Sequence, residues 1–250
     1  VNPITTERFA GFDGSELALH RVGQGRPVVL LHGLFSDAQT NWIRFGHAQR
    51  LAEAGFEAIM PDLRAHGQSA APHDPAAYPE DVLVKDAQAL IRHLDLQDYD
   101  LGGFSLGART AVRCVLQGLS PRRLALAGMG LEGLAGWSRR SAFFLDAIDR
   151  FDTVKHGDPA FMAVAFMKTQ KVDRVAARLL LQSVDDTEPG DLAGVTIPTL
   201  VVCGDRDRDN GSPEALAAAL PDARFEQIPG THMSSVTEPA LGEAIARFLA

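Results

Sequence analysis

Cysteine is scarce: the 250 residues contain two, Cys114 and Cys203. They fall in a predicted helix and a predicted buried strand, so both are expected as small buried thiols, and a disulfide scaffold is excluded. Long apolar runs are missing as well. None approaches the ~20 residues needed to span a bilayer, and the opening stretch VNPITTERF has neither the charged nor the apolar region of a secretory signal. Basic charge is in deficit, with 24 Lys and Arg against 32 Asp and Glu and a formal net charge of -8. That balance leaves no electrostatic footprint for nucleic acid or an anionic membrane surface. With so few cysteines, a reducing cytoplasm is the expected location. There is no internal repeat and no low-complexity tract.

What remains is an ordinary globular composition, 46% hydrophobic and 22% charged, with material for one α/β domain plus an insertion or for two small domains. Short apolar runs alternate with amphipathic segments. PVVLLHG (27–33), FEAIMPD (56–62), YDLGGFS (99–105), RLALAGMG (123–130) and PTLVVCGD (198–205) read as buried strands bounded by turn residues. Leu83, Ala87, Leu90, Ile91 and Leu94 step at helical spacing, as do Leu241, Ile245, Phe248 and Leu249 behind Pro239, a good first helical residue. Such alternation predicts an α/β fold with a mostly parallel sheet flanked by helices. The stretch FAGFDGSELALHRVG adds an antiparallel hairpin at one edge.

One region breaks the alternation. Residues 134–192 carry no strand signal, only helical pieces rich in large apolar side chains. The expected division is therefore a core of 1–133 and 193–250 interrupted by a helical cap or lid, 134–192, over the C-terminal edge of the sheet, where open α/β sheets bind ligands. Most of its aromatics are expected to pack beneath the cap. Trp137, Phe144 and Phe166, with Phe35 from the core, are the candidates for facing an apolar substrate.

Four motifs carry chemistry. Gly103-Phe104-Ser105-Leu106-Gly107 is G-x-S-x-G between a predicted strand and a predicted helix, a bend that exposes the serine Oγ in strained geometry. No lysine follows to make it a phosphate loop, and a dinucleotide G-x-G-x-x-G is absent. His32-Gly33 ends the first buried strand, and the turn beyond it offers a backbone N–H for an oxyanion, assigned to Leu34 with Phe35 as second choice. The other donor is Leu106, next to the serine. VVCGDRDRDNGSP sets Asp205, Asp207 and Asp209 after a buried strand; an EF-hand calcium loop would need a closing glutamate that is missing, which leaves a solvated loop, a weak metal site or a catalytic acid as the readings. Finally, IPGTHMSSVTEP puts His232 in a loop before the last helix, with an ordinary pKa suited to proton transfer near neutrality. His20, His47, His73, His93 and His156 sit in segments that read as surface, and His66, in PDLRAHGQS, precedes the serine and is expected to serve a turn.

The order Ser, acid, His, each after a strand, resembles the α/β-hydrolase fold superfamily, with counterparts for HGLF…NW, PDLRAHGQS, GGFSLGAR, VVCGDRD and GTHMSS. The resemblance covers nearly the whole chain apart from the cap. It implies that the acid is Asp207, three residues after the strand-ending glycine, with Asp205 second and Glu132 in GMGLEG as the position some members use. Ala65 departs from the glycine common in R-G-H-G. The implied activity is that of a serine hydrolase cleaving an ester of a small, largely apolar molecule through Ser105, Asp207 and His232. It calls for no metal, nucleotide or flavin, while the charge balance and the lack of long apolar runs lead us to expect no nucleic-acid partner and no membrane span. Carbon–carbon hydrolases, lactonases, thioesterases and perhydrolases share the triad, and some hormone receptors share the fold with little turnover; substrate choice lies in cap and pocket shape.

Overall fold

The computed structural model describes residues 2–250. Its strands are β1 (Thr5–Ala10), β2 (Glu16–Gly23), β3 (Arg26–Leu31), β4 (Phe56–Pro61), β5 (Asp100–Phe104), β6 (Leu124–Ala127), β7 (Thr199–Gly204) and β8 (Ala223–Ile228). They form one eight-stranded sheet in the order β1-β2-β4-β3-β5-β6-β7-β8. β1 pairs antiparallel with β2, and β2 with β4; every other neighbour is parallel. The hairpin expected at one edge is thus β1–β2. Each of the five apolar runs picked out in the sequence coincides with one inner strand, β3 starting one residue early at Arg26, but the strands are shorter than the runs. β3 stops at Leu31 and β5 at Phe104, which leaves His32-Gly33 and Ser105 as the turn residues beyond the sheet.

Side chains alternate across the inner strands, as pleating requires. Val28 and Leu30 face one apolar layer, Val29 and Leu31 the other. On the first side lie α1 (His47–Glu53) and the C-terminal α9 (Pro239–Leu249), which bury Leu51, Leu241, Ile245 and Phe248. On the second lie α2 (Val82–His93), α3 (Leu106–Leu116) and α8 (Pro213–Ala219), with Leu83, Leu90, Val112 and Leu216 against the sheet. The parallel strands are covered on both faces, which is why they read as continuous apolar runs rather than as alternating ones.

Between β6 and β7 the chain makes α4 (Leu131–Ala135), α5 (Trp137–Asp149), α6 (Phe161–Thr169) and α7 (Arg174–Ser183), then a 3-10 turn at Pro189–Gly194, with no strand among the described residues. Asp173 caps α7 by accepting the N–H groups of Val175 and Ala176. The helical stretch starts at Leu131, slightly ahead of the boundary expected at 134.

Two histidines expected at the surface are not there. His20 lies on β2 and is buried, between the Thr6 hydroxyl and the Asp62 carboxylate, 3.2 Å from the latter. His47 opens α1 fully buried, its Nε2 donating to the Val236 carbonyl at 2.6 Å. A histidine carries no burial signal of its own, and the packing of β2 against β4 and of α1 against α9 is what buries these two. His73, His93 and His156 are exposed.

Candidate active site

The glycines around Ser105 make room for backbone. A Cβ on Gly103 would fall 2.2 Å from the Gly107 carbonyl carbon, and one on Gly107 would fall 2.1 Å from the Leu31 carbonyl oxygen. Both contacts are far inside van der Waals range, so β3, β5 and the start of α3 can meet only where side chains are missing. Ser105 itself takes φ 53 and ψ -113, a conformation unfavourable for any residue with a side chain. Its N–H donates to the Ala127 carbonyl on the neighbouring strand at 2.8 Å, which holds the bend in place.

Three side chains from three strand ends converge there. His232 Nε2 is 3.1 Å from Ser105 Oγ, and His232 Nδ1 is 2.8 Å from Asp207 Oδ2. Asp207 is buried behind the imidazole, and His232 is half-buried. Burial pushes the Asp207 carboxyl up, but the hydrogen bond from His232 and its charge outweigh that and hold the group below the usual carboxylate range. An ionised Asp207 requires the proton on Nδ1, which leaves Nε2 free to accept from the serine hydroxyl. The Cys203 thiol also donates to Asp207 Oδ2, at 3.4 Å. Burial and the neighbouring Asp207 charge raise that thiol's pKa, so it stays protonated as a donor.

The other two acids have separate partners. Asp205 Oδ1 accepts the Gly230 N–H at 2.8 Å, and Glu132 Oε2 accepts the Ser212 N–H at 2.8 Å. Neither reaches His232. Asp209 brings its carboxylate into a group with Asp207 and His232 whose ligand atoms lie within 4.8 Å of one another, a donor set able to hold a cation. The 2.8 Å hydrogen bond between Asp207 and His232 already engages two of its three members.

The turn after β3 separates the two backbone donors weighed for the oxyanion. The Phe35 N–H donates to His66 Nε2 at 2.9 Å, with Phe35 at φ 62, so that donor is taken. The Leu34 N–H makes no hydrogen bond among the described residues, and Leu34 lines the same cavity as Ser105. Leu106 is the first residue of α3, where a backbone N–H has no intrahelical acceptor. His66 is wholly buried; burial and the adjacent His32 lower its pKa to about 3, which keeps it a neutral acceptor for Phe35.

Sequence reasoning missed Asn210. Its Nδ2 lies 2.9 Å from the Gly128 carbonyl and 3.3 Å from Ser105 Oγ, joining the loop after β7 to the serine. An asparagine in an Asp-rich loop carries no signal of its own, and only the path of that loop brings it to Ser105.

The cavity above these groups measures about 490 Å³. Phe35, Trp137, Phe144 and Phe166 all line it, together with Ser105 and His232, while Asp207 stays behind. Phe35 and Phe144 meet edge to face at 5.6 Å. The arrangement offers a hydroxyl, a base oriented by a carboxylate, two free backbone donors and an apolar chamber.

Residues 28–243 match the model of the alpha/beta hydrolase family. The chain belongs to this family. Among its relatives, the dihydrolipoyllysine-residue acetyltransferase component of the acetoin cleaving system of Pseudomonas putida is 31% identical over 228 residues, which cover 80% of this chain. The chain spans 58% of that relative's length. The non-heme haloperoxidase of Rhodococcus erythropolis is 26% identical over 254 residues, 87% of this chain and 89% of the relative. The enol-lactonase of Burkholderia xenovorans LB400 superposes with a TM-score of 0.74 at 22% identity, covering 97% of this chain and 99% of the other. At that identity the superposition speaks for the alpha/beta hydrolase fold. Among the described residues, no helix is long and apolar enough to cross a membrane.

Proposed function

We propose that this alpha/beta hydrolase family member is a serine hydrolase that cleaves carboxylic esters of small, largely apolar molecules. The observation that carries the reading is the unbroken chain from Asp207 through His232 to Ser105 Oγ, with both hydrogen bonds at 3.1 Å or less. In the first half-reaction Ser105 Oγ attacks the ester carbonyl carbon as His232 Nε2 takes its proton, and the carbonyl oxygen becomes an oxyanion facing the N–H groups of Leu34 and Leu106. The tetrahedral intermediate collapses, the C–O bond to the alcohol breaks, and His232 returns the proton to the leaving oxygen. In the second half, water gives a proton to His232 and attacks the acyl-enzyme; collapse releases the acid and regenerates Ser105. Asp207 holds the Nδ1–H tautomer throughout and stabilises the imidazolium. No step calls for a metal, nucleotide or flavin.

Residues 134–192 act in this reading as a cap whose aromatic side chains give the chamber apolar walls for the substrate. The two unpaired, buried cysteines support a reducing cytoplasm as the setting. Steady-state hydrolysis of p-nitrophenyl esters, from short to long acyl chains, tests the assignment with Ser105→Ala alongside. Turnover is expected in the native enzyme, with an optimum chain length set by the chamber, and a loss of at least about a thousandfold in the variant. Retained turnover in Ser105→Ala rules the mechanism out.

The haloperoxidase relative favours a second reading on the same residues. Hydrogen peroxide in place of water would attack the acyl-enzyme and release a peracid, with His232 again taking the proton. Peracid formation from an ester and hydrogen peroxide, lost in Ser105→Ala, identifies that activity.

A further inference from the structure

The cavity wall contains two arginines, Arg109 and Arg140, which are engaged very differently. Arg109, on α3, is a tie between core and cap. Its two terminal nitrogens donate to the carbonyls of Gly133, Leu134 and Asp185, and the Asp186 carboxylate lies 3.6 Å away. Its guanidinium also stacks over Trp137 at 5.0 Å. Its Nε is buried without a partner, as is that of Arg140, but with both terminal nitrogens bonded and a carboxylate alongside, that cation is paired by the protein.

Arg140, on α5, is not. Its one hydrogen bond runs from Nη1 to the Asp209 carbonyl at 2.9 Å, and no carboxylate comes within 4.0 Å among the described residues. Its Nε is buried with no partner. Arg140 is half-buried, and a guanidinium has several donors in one plane and is always charged, so each donor left without an acceptor where water is partly excluded carries a cost. Burial accordingly depresses its pKa. The group is aligned by its stack over Phe144 at 5.3 Å, and Asp209, whose carbonyl it holds, directly precedes the Asn210 that touches Ser105. Arg140 therefore lines the same chamber as Ser105, next to Asp209, with donors left over on its guanidinium.

We propose that Arg140 is the anchor for a carboxylate on the substrate, and that the preferred substrate is a compact apolar ester carrying one free carboxylate. This rests on the reading of Ser105 as the nucleophile. Asp209 and Asp207 act on Arg140 by charge without pairing with it directly; a planar carboxylate matches the guanidinium fork, takes up its unused donors and leaves the apolar body of the substrate against Phe144 and Phe166. The protein's net charge of -8 gives no long-range attraction for an anion, so the discrimination is local to Arg140.

The test compares two matched pairs of esters, p-nitrophenyl hydrogen glutarate against p-nitrophenyl pentanoate for a carboxylate on the acyl side, and acetoxybenzoate against phenyl acetate for one on the leaving group. In the native enzyme kcat/KM should favour the anionic member of at least one pair by roughly tenfold to a hundredfold. Arg140→Gln should bring that ratio close to unity, chiefly through KM, and Arg140→Lys, which keeps the charge without the fork, should restore part of it. A native enzyme that prefers the neutral ester in both pairs, or an Arg140→Gln variant that keeps the preference, overturns the anchor while leaving serine-dependent ester cleavage intact. Calorimetry with phenylbutanoate and its neutral amide reads the anchor without turnover. The acid should bind native protein and Ser105→Ala more tightly than the amide and lose about tenfold in Arg140→Gln; equal binding of acid and amide overturns the proposal even if no ester is cleaved. If Arg140→Gln does not fold, judged by thermal melting, Arg140→Lys against native protein carries both comparisons.

Discussion

The Asp205 carboxylate accepts the Gly230 N–H at 2.8 Å, two residues before His232, and so braces the histidine's loop without touching the imidazole. Asp207, two residues further along, takes Nδ1 of that imidazole at the same distance. One loop thus supplies two acids with separable jobs. Asp207→Asn should keep the fold but favour the wrong histidine tautomer, with a drop in kcat on the order of a thousandfold to ten-thousandfold. Asp205→Asn retains an acceptor for the Gly230 N–H and should lose less than about tenfold, the scale of one neutral hydrogen bond. Parallel kcat measurements on one p-nitrophenyl ester decide it, and the reverse ranking would make Asp205 the acid.

Much of this could be read from the chain. The inner strands appear as apolar runs because both faces of a parallel sheet are covered, and the site residues follow strand ends because that is where the chain turns out of the core. The acid was harder. Asp205, Asp207 and Asp209 look alike as letters, and only the resemblance favoured Asp207. The choice between the Leu34 and Phe35 N–H groups was also closed to sequence, since it depends on His66 accepting from Phe35 across a turn. Asn210 and Arg140 were missed for a related reason: their partners are a serine hydroxyl and a carbonyl on distant segments, contacts with no periodicity and no spacing rule. His20 and His47 show the converse error, with polar residues taken for surface that the tertiary fold buries.

His66 makes acid stability a readout of the turn after β3. Its pKa in the folded protein is about 3, well below the ordinary ~6.5 of an unfolded histidine. Between those values the unfolded chain binds a proton that the folded chain does not. Stability therefore rises with pH across that window, is lost as pH falls, and gains nothing further above ~6.5. His32, whose pKa burial also depresses, adds a slope of the same sign. Asp207, with its pKa below the usual carboxylate range, also loses its contribution on acidification, but at lower pH. Urea midpoints at pH 7 and pH 5 should show native protein losing stability, with His66 contributing at most about 1.4 kcal/mol per pH unit. His66→Gln, which offers a non-titrating acceptor to the Phe35 N–H, should have a shallower dependence; an unchanged slope would show that His66 titrates normally in the folded state.

Ala65 is the one position where a common family residue should improve the fold outright. It adopts φ 68, in the left-handed region, with its N–H donating to the Ala70 carbonyl at 3.0 Å and its side chain buried. An L-residue there carries a cost of roughly 1–2 kcal/mol that glycine avoids. Glycine gives back part of the gain through the greater freedom of the unfolded chain, about 0.4–1 kcal/mol, and the lost methyl leaves a small gap in the core. The net expectation for Ala65→Gly is a stabilisation of up to about 1 kcal/mol, seen as a melting temperature higher by about 2–4 °C at most for a chain of this size. Ester turnover at a fixed temperature should stay within about twofold, since Ala65 does not line the cavity that holds Ser105 and Leu34 and His66 keeps its hydrogen bond to Phe35. A lower melting temperature would mean that the buried methyl contributes more to packing than its left-handed backbone costs.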